Sequence, residues 1–211
     1  LRTPMTRIRA AAELALSRDD PDERAGALEV AIEEATATEQ LLTRLLDLTR
    51  AEAGMLPLDL RELEPDALLR RVAALYEHVA EERDIQLVVD AHPVPTIVAD
   101  RTRLEQALAN LVDNAIKFSP NGARVRLSTT SDDDHVHLVV EDEGPGIPET
   151  DRERVFERLV RGDPSRSSPG AGLGLAMVRA IAQAHGGSVR LEDGVSGGAR
   201  ATLVLPRRPS P

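Results

Sequence analysis

Apolar residues recur at alternating four- and three-residue intervals through the first 53 positions. Leu1, Met5, Ile8, Ala12 and Ala15 open the series. After Ser17-Arg18-Asp19-Asp20-Pro21, it continues through Leu28, Ala31, Ala35, Thr38, Leu42, Leu45 and Thr49 up to Gly54. This is the seam of a coiled coil or bundle and predicts two long helices joined by a turn. Asp20 before Pro21 is a good helix start, and Gly54 a good stop. Leu41, Leu46 and Leu48 widen the stripe beyond one seam. Two helices cannot bury so wide a stripe alone. A four-helix bundle formed by dimerisation satisfies it, with a monomeric hairpin packed on the rest of the chain as the alternative.

From residue 55 onwards the period changes. Residues 55–64 read as a linker and a first strand, 65–83 as an amphipathic helix, and 85–91 and 96–99 as short strands. Asp100 caps a helix predicted over 101–118. Strands follow at 123–130 and 135–142, turning through Ser131-Asp132-Asp133-Asp134. A helix is predicted at 149–159, then a Gly/Ser/Pro-rich stretch at 161–172. A last helix at 173–185 stops at Gly186-Gly187, and strands at 188–192 and 199–205 close the pattern. Hairpin connections between mixed elements predict an α+β layer, with helices on one face of a largely antiparallel sheet. Pro206 to Pro211 reads as a frayed tail.

Composition narrows the function classes. A net charge of −10 argues against a nucleic-acid binder. Tyr76, Phe118 and Phe156 are the only aromatics, which excludes base-stacking platforms. Cysteine is absent, so disulfides, thiolate metal sites and cysteine nucleophiles are excluded. No apolar run is long enough to span a membrane, and no secretory signal opens the chain. All but one of the 26 basic residues are arginine; the exception is Lys117. Arginine bias of this kind is a composition effect, so the lone lysine marks a place where a compact ammonium is needed, or a chance position on a solvated face.

Lys117 has suggestive neighbours. Asn110 and Asn114 stand at i and i+4 with Lys117 three further on, so all three share one helical face, beside an apolar side of Leu104, Leu108, Leu111 and Ala115. Asparagine costs helix propensity. Amide oxygens facing an ammonium suit a hard cation that bridges phosphates; two surface amides on an exposed stripe are the plain alternative. In Glu141-Asp142-Glu143-Gly144-Pro145-Gly146, a carboxylate at a strand end can accept from an exocyclic amine, and glycines let backbone approach a flat ring. An ordinary turn explains the segment too. In Gly170-Ala-Gly172-Leu173-Gly174-Leu175, glycines at a helix start offer N–H groups to phosphate, or simply form a loop. The spacing fits neither a Walker nor a dinucleotide motif.

In this order, with Phe156-Glu-Arg and the closing Gly186-Gly187, these segments resemble the ATP-binding domain of bacterial sensor histidine kinases. Leu1-Arg2-Thr3-Pro4 resembles the end of that family's phosphoacceptor box. The resemblance implies a helical hairpin over 1–54, dimerising as a four-helix bundle. An α+β sandwich of the gyrase/Hsp90/histidine-kinase ATPase type follows over 55–211. By the same resemblance, Asn110 and Asn114 would hold Mg²⁺ and triphosphate oxygens, and Lys117 would contact phosphate. Asp142 would accept from the adenine amino group, beside Gly144 and Gly146. Phe156 would pack the base of a lid, and Gly170, Gly172 and Gly174 would hinge it, with Leu173 and Leu175 in the same nucleotide motif. Arg161 is a lid cation at a family-like place, and Arg166 a second.

There are departures. Leu159 and Val160 stand where the family often has Phe and Tyr, and Ala199 where Thr is usual. The phosphoacceptor histidine would lie two residues ahead of Leu1, so the chain is expected to be truncated. His78, His92, His135, His137 and His185 all lie in the second domain. The implied function is transfer of the ATP γ-phosphoryl to a histidine, then to an aspartate on a response-regulator receiver domain, in the cytoplasmic part of an inner-membrane sensor. A non-catalytic dimerisation and docking module with a degenerate ATP site is one alternative. A phosphatase-biased member, using Thr3, is another.

Overall fold

The computed structural model describes residues 2–18, 20–158 and 172–207, the side chains of residues 2, 3 and 52 excepted. The chain divides into two compact units, residues 1–49 and 50–211.

The first unit is a helical hairpin, α1 (Arg2–Ser17) and α2 (Pro21–Glu52). Asp20 starts α2 as expected, its Oδ1 accepting from Asp22 N at 2.8 Å. At the other end Met55 N donates to Arg50 O and Gly54 N to Ala51 O, with Gly54 at φ +68°, the paired closure of a Schellman motif. Within the hairpin Ala11, Ala15, Ala27 and Thr38 are buried. Leu28, Ile32, Leu42 and Leu46 are exposed. The heptad seam therefore splits: one edge closes the hairpin, the other is left uncovered, because a two-helix hairpin has only one inner face.

The second unit has a five-stranded sheet with helices on one face. Its strands are β2 (Gln86–Ala91), β4 (Arg124–Ser131), β5 (His135–Asp142), β6 (Ser188–Asp193) and β7 (Ala199–Pro206). Their order is β2-β4-β5-β7-β6; β2 runs parallel to β4 and every other pair is antiparallel. A separate antiparallel pair joins β1 (Arg61–Leu63) to β3 (Ile97–Ala99). Helices α3 (Pro65–Glu81), α4 (Arg101–Phe118) and α5 (Gly174–Ala184) supply the rest of the core. Val125, Leu127, Val136, Leu138 and Val140 alternate inward from the strands against Leu104, Leu108, Val112 and Ile181. Register then decides faces. Asp142 pairs with Val125 on the helix side, whereas Glu141 pairs with Arg126 and Arg200 on the open side.

One expectation is corrected. Of the helix expected over 149–159, the described residues 149–158 form two short 3₁₀ turns instead, Glu149–Asp151 and Arg154–Phe156. The Arg152 guanidinium reaches back to Ile147 O and out to Asp193, and Arg179 takes the Phe156 carbonyl at 3.0 Å. These side-chain anchors, with Pro148 at the start, hold i→i+3 closures in place of a continuous helix.

Both ends of the α4–α5 layer are tied at Asp100. Its carboxylate caps α4 through Arg103 N at 3.1 Å and accepts from Asp59 N at 2.9 Å. Its own N–H donates to His185 Nε2 at 3.0 Å, while His185 Nδ1 lies 2.8 Å from Ile181 O. That arrangement needs the neutral imidazole with its hydrogen on Nδ1. Burial pushes the Asp100 carboxyl up, but the N–H groups of Asp59, Arg103 and Thr102 outweigh it and hold the group below the usual carboxylate range. Its stabilising effect is therefore full above the unfolded value, near pH ~3.9, and is lost as pH falls through the lower folded value. Asp100→Ala should cost about 1–2 kcal/mol at neutral pH by denaturant unfolding. The difference from the parent should shrink as the pH is lowered into the acid range.

Candidate functional site

Helix α4 carries the site. Asn110, Asn114 and Lys117 are half-buried along it, and the apolar face formed by Leu104, Leu108, Leu111 and Ala115 is packed in the core. The Lys117 ammonium lies 5.3 Å from the centroid of the neighbouring Phe118 ring.

Each end of this asparagine face meets a glycine segment. A Cβ on Gly174 would lie 3.3 Å from Asn110 Oδ1, so the start of α5 abuts the first asparagine. A Cβ on Gly144 would lie 2.9 Å from Phe118 O, so the Asp142-to-Gly146 turn abuts the last turn of α4. Eight residues at 1.5 Å rise place these two ends ~12 Å apart, about the reach from the base of a nucleoside triphosphate to its phosphates.

At the first end, α5 begins at Gly174 after Leu173, with no side-chain cap and no acidic residue in its first turn. Leu173 is buried, Leu175 half-buried, and Gly172 sits at φ +67°. Uncapped first-turn N–H groups and the positive end of the helix dipole suit an anion.

At the second end stands Asp142, half-buried. Its Oδ1 accepts from Gly144 N at 2.8 Å and Ala199 N at 3.1 Å. No protein group bonds Oδ2 among the described residues, and that oxygen is left for an external donor. Burial pushes the Asp142 carboxyl above the usual carboxylate range, with the Glu141 charge adding to it and the two N–H groups opposing. Gly198 makes this geometry accessible: a Cβ there would lie 1.9 Å from the Asp142 carbonyl oxygen. Gly146, at φ +69°, packs against the Gly197 and Gly198 carbonyls.

Phe156 is buried, with the Arg179 guanidinium 5.4 Å from its ring centroid. Arg161, Arg166 and Gly170, with Leu159 and Val160, lie outside the described residues, as does the side chain of Thr3 in the first turn of α1. The sequence reading missed Gly198; it named Ala199 only as a departure from the family pattern, and Glu141 only as a neighbour within the Asp142 motif. The pair Gly197-Gly198 directly before a strand was the available signal. A cavity of about 330 Å³ opens on the other face of the sheet, among Val88, Arg126, Ser128, Glu141 and Arg200. Asp142 and Val195 also line it, so the cavity reaches the same end of β5. Among the described residues no cluster of three His, Cys, Asp or Glu could hold a metal.

Comparisons with known proteins find relatives of both parts of the chain. The family described as histidine kinase-, DNA gyrase B-, and HSP90-like ATPase matches residues 99–209, and the His Kinase A (phospho-acceptor) domain matches residues 1–54. The signal transduction histidine-protein kinase/phosphatase MprB of Mycobacterium ulcerans (strain Agy99) is 38% identical over 226 residues, covering 100% of this chain and 43% of the relative. The sensor-like histidine kinase SenX3 of Mycolicibacterium smegmatis is 35% identical over 214 residues, covering 100% and 56%. The chain spans about half the length of the curated relatives it matches. Among solved structures, full-length ShkA in complex with AMPPNP superposes with a TM-score of 0.79 at 31% identity, over 99% of this chain and 44% of that one. A mycobacterial sensor histidine kinase MprB structure gives 0.61 at 36% identity, over 72% and 99%. With a phospho-acceptor hairpin and an ATPase domain following one another in a single polypeptide, the chain belongs to the histidine kinases and is the catalytic region of a sensor histidine kinase.

Proposed function

We propose that this region binds ATP in the α4–α5 cleft and passes its γ-phosphoryl group to a histidine, from which it moves to an aspartate on a response-regulator receiver domain. The observation that carries this reading is the half-pinned Asp142, with Oδ1 held by two backbone N–H groups and Oδ2 left for a donor. In this reading Oδ2 accepts from the adenine amino group, and Gly144 and Gly146 let backbone lie against the ring. The start of α5, Gly172 and Gly174 included, and Lys117 face the triphosphate. Phe156, fastened to α5 by Arg179, anchors the segment that carries Arg161 and Gly170.

The amide oxygens of Asn110 and Asn114 fit a hard cation, and these two residues would hold Mg²⁺ between themselves and the phosphates. When bound, the ion neutralises charge on the phosphate oxygens. The protein's own task is positioning and electrostatics: Lys117 and the α5 N–H groups oppose the phosphate charge, and Asp142 fixes the base. Residues 1–54 form the phosphoacceptor hairpin and 55–211 the ATP-binding domain. Residues 1–54 contain no histidine, so the acceptor in this reading is not among them. No helix among the described residues is long and apolar enough to cross a membrane. We place the region in the cytoplasm, where ATP is supplied.

The MprB relative, whose name pairs kinase with phosphatase, favours a second activity. Thr3 lies one helical turn beyond the acceptor position, where its hydroxyl would orient a water towards a regulator's aspartyl phosphate. A non-catalytic docking module is disfavoured by the uncapped α5 start and the open Asp142 oxygen, neither of which it would require.

Two expectations test the nucleotide site. Asp142→Asn should weaken ATP binding roughly tenfold to hundredfold by calorimetry, since a hydrogen bond to an ionised group contributes roughly 1.5–3 kcal/mol. The same change should leave the ligand-free domain no less stable. A carboxyl whose folded pKa is raised costs stability once ionised, so stability falls as pH rises through the window between its unfolded and folded values. Asn114→Ala should remove the Mg²⁺ dependence of binding. Parent-like Mg-ATP binding in both variants would sink the site assignment.

A further expectation concerns self-association. Leu28, Ile32, Leu42 and Leu46 leave an apolar edge on the hairpin, and a second copy of the hairpin would cover it. Leu42→Asp with Leu45→Asp should convert dimers to monomers in sedimentation, because carboxylates in an apolar seam are unpaired and desolvated. An unchanged dimer population would reject the bundle.

A further inference from the structure

Glu141 lies next to Asp142 in β5 but faces the opposite side of the sheet, where its side chain is only 12% exposed. Its two oxygens are both engaged. Oε1 accepts from Val195 N at 2.8 Å and Oε2 from the Arg200 guanidinium at 3.2 Å. Val195 belongs to the turn between β6 and β7, which closes on itself through Gly194 N to Gly198 O at 2.8 Å and Gly197 N to Gly194 O at 3.0 Å. The far end of this turn delivers Ala199 N to Asp142 Oδ1. One short turn thus wraps the end of the sheet, gripped by Glu141 on one face and gripping Asp142 on the other. The contact is tight throughout. A Cβ on Gly194 would lie 3.3 Å from Glu141 Cγ, and one on Gly198 would lie 2.7 Å from Asp142 Oδ1.

We propose that Glu141 is a positioning residue for base recognition: by anchoring the 193–198 turn it fixes the Asp142 carboxylate, and so sets the preference for a 6-amino over a 6-oxo purine. This rests on the assignment of Asp142 to the base. An acceptor held with one oxygen outward matches the adenine amino group and opposes the guanine carbonyl, which is itself an acceptor. If the turn is released, Oδ1 loses one of its two donors and the carboxylate can rotate. Discrimination then falls more than overall binding, because the triphosphate is held at the other end of α4.

The test compares affinities for ATP, GTP and inorganic tripolyphosphate, each with Mg²⁺, in the parent, Glu141→Ala, Glu141→Gln and Asp142→Asn. Glu141→Ala should narrow the ATP-over-GTP preference by about tenfold, mid-range for residues coupled in one hydrogen-bond network. Tripolyphosphate affinity should hold. Glu141→Gln keeps an acceptor for Val195 N and should retain most of the preference. Val195→Pro deletes the donor at a position with ordinary negative φ, leaves the Glu141–Arg200 pair, and should reproduce Glu141→Ala if that variant fails to fold. An unchanged preference in Glu141→Ala or Val195→Pro, alongside a collapsed one in Asp142→Asn, overturns the role of Glu141 alone. An unchanged preference in Asp142→Asn overturns the base assignment and this inference with it. Equal losses for ATP and tripolyphosphate in Glu141→Ala would mark general damage, and also reject it.

Discussion

The site depends on how closely two backbones approach at the end of the sheet. Gly198 passes so near the Asp142 carbonyl that no side chain fits between them. Only at that distance can Ala199 N reach across to the carboxylate. Gly144, on the other side, packs under the same oxygen and against the end of α4. A carboxylate half removed from water resists ionisation, and two N–H groups on one oxygen offset part of that cost while leaving the second oxygen exposed to a ligand. The Asp142 carboxylate is thus oriented by main chain alone.

Helix α4 converts this local device into a site with two ends. Its first residue is fixed by the Asp100 cap, and Asp100 is itself fastened to the end of α5 through His185. The start of α5 is thereby set against Asn110. Distances along a packed helix are nearly rigid, so the spacing between the start of α5 and the Asp142 turn is a property of the scaffold and not of flexible loops.

Much of this was readable in the chain. The start of α4 was legible because its signal is local, an aspartate cap before Arg101. Strand β5 and the glycine segments were legible for the same reason. What could not be read was tertiary. Residues 149–159 have helical composition, but Arg152 and Arg179 draw the carbonyls of Ile147 and Phe156 out of helical pairing. The heptad seam pointed to an apolar stripe but not to which edge one chain would cover for itself. Glu141 stood in the Asp142 motif with no role of its own; its place emerges only when register sets it opposite Arg126 and Arg200 and under a turn more than fifty residues away.

The strand order also bears on how this domain avoids misassembly. β2 and β6 are the two edges of the sheet, and each presents unpaired main-chain groups to solvent. Both are short and carry charge: Asp90 on one, and Arg190, Glu192 and Asp193 on the other. Such edges are poor templates for an incoming strand, since continuing the sheet would take these charges out of water. A concentrated cellular pool of this domain is therefore protected against edge-to-edge stacking, and its sheet ends where the fifth strand ends.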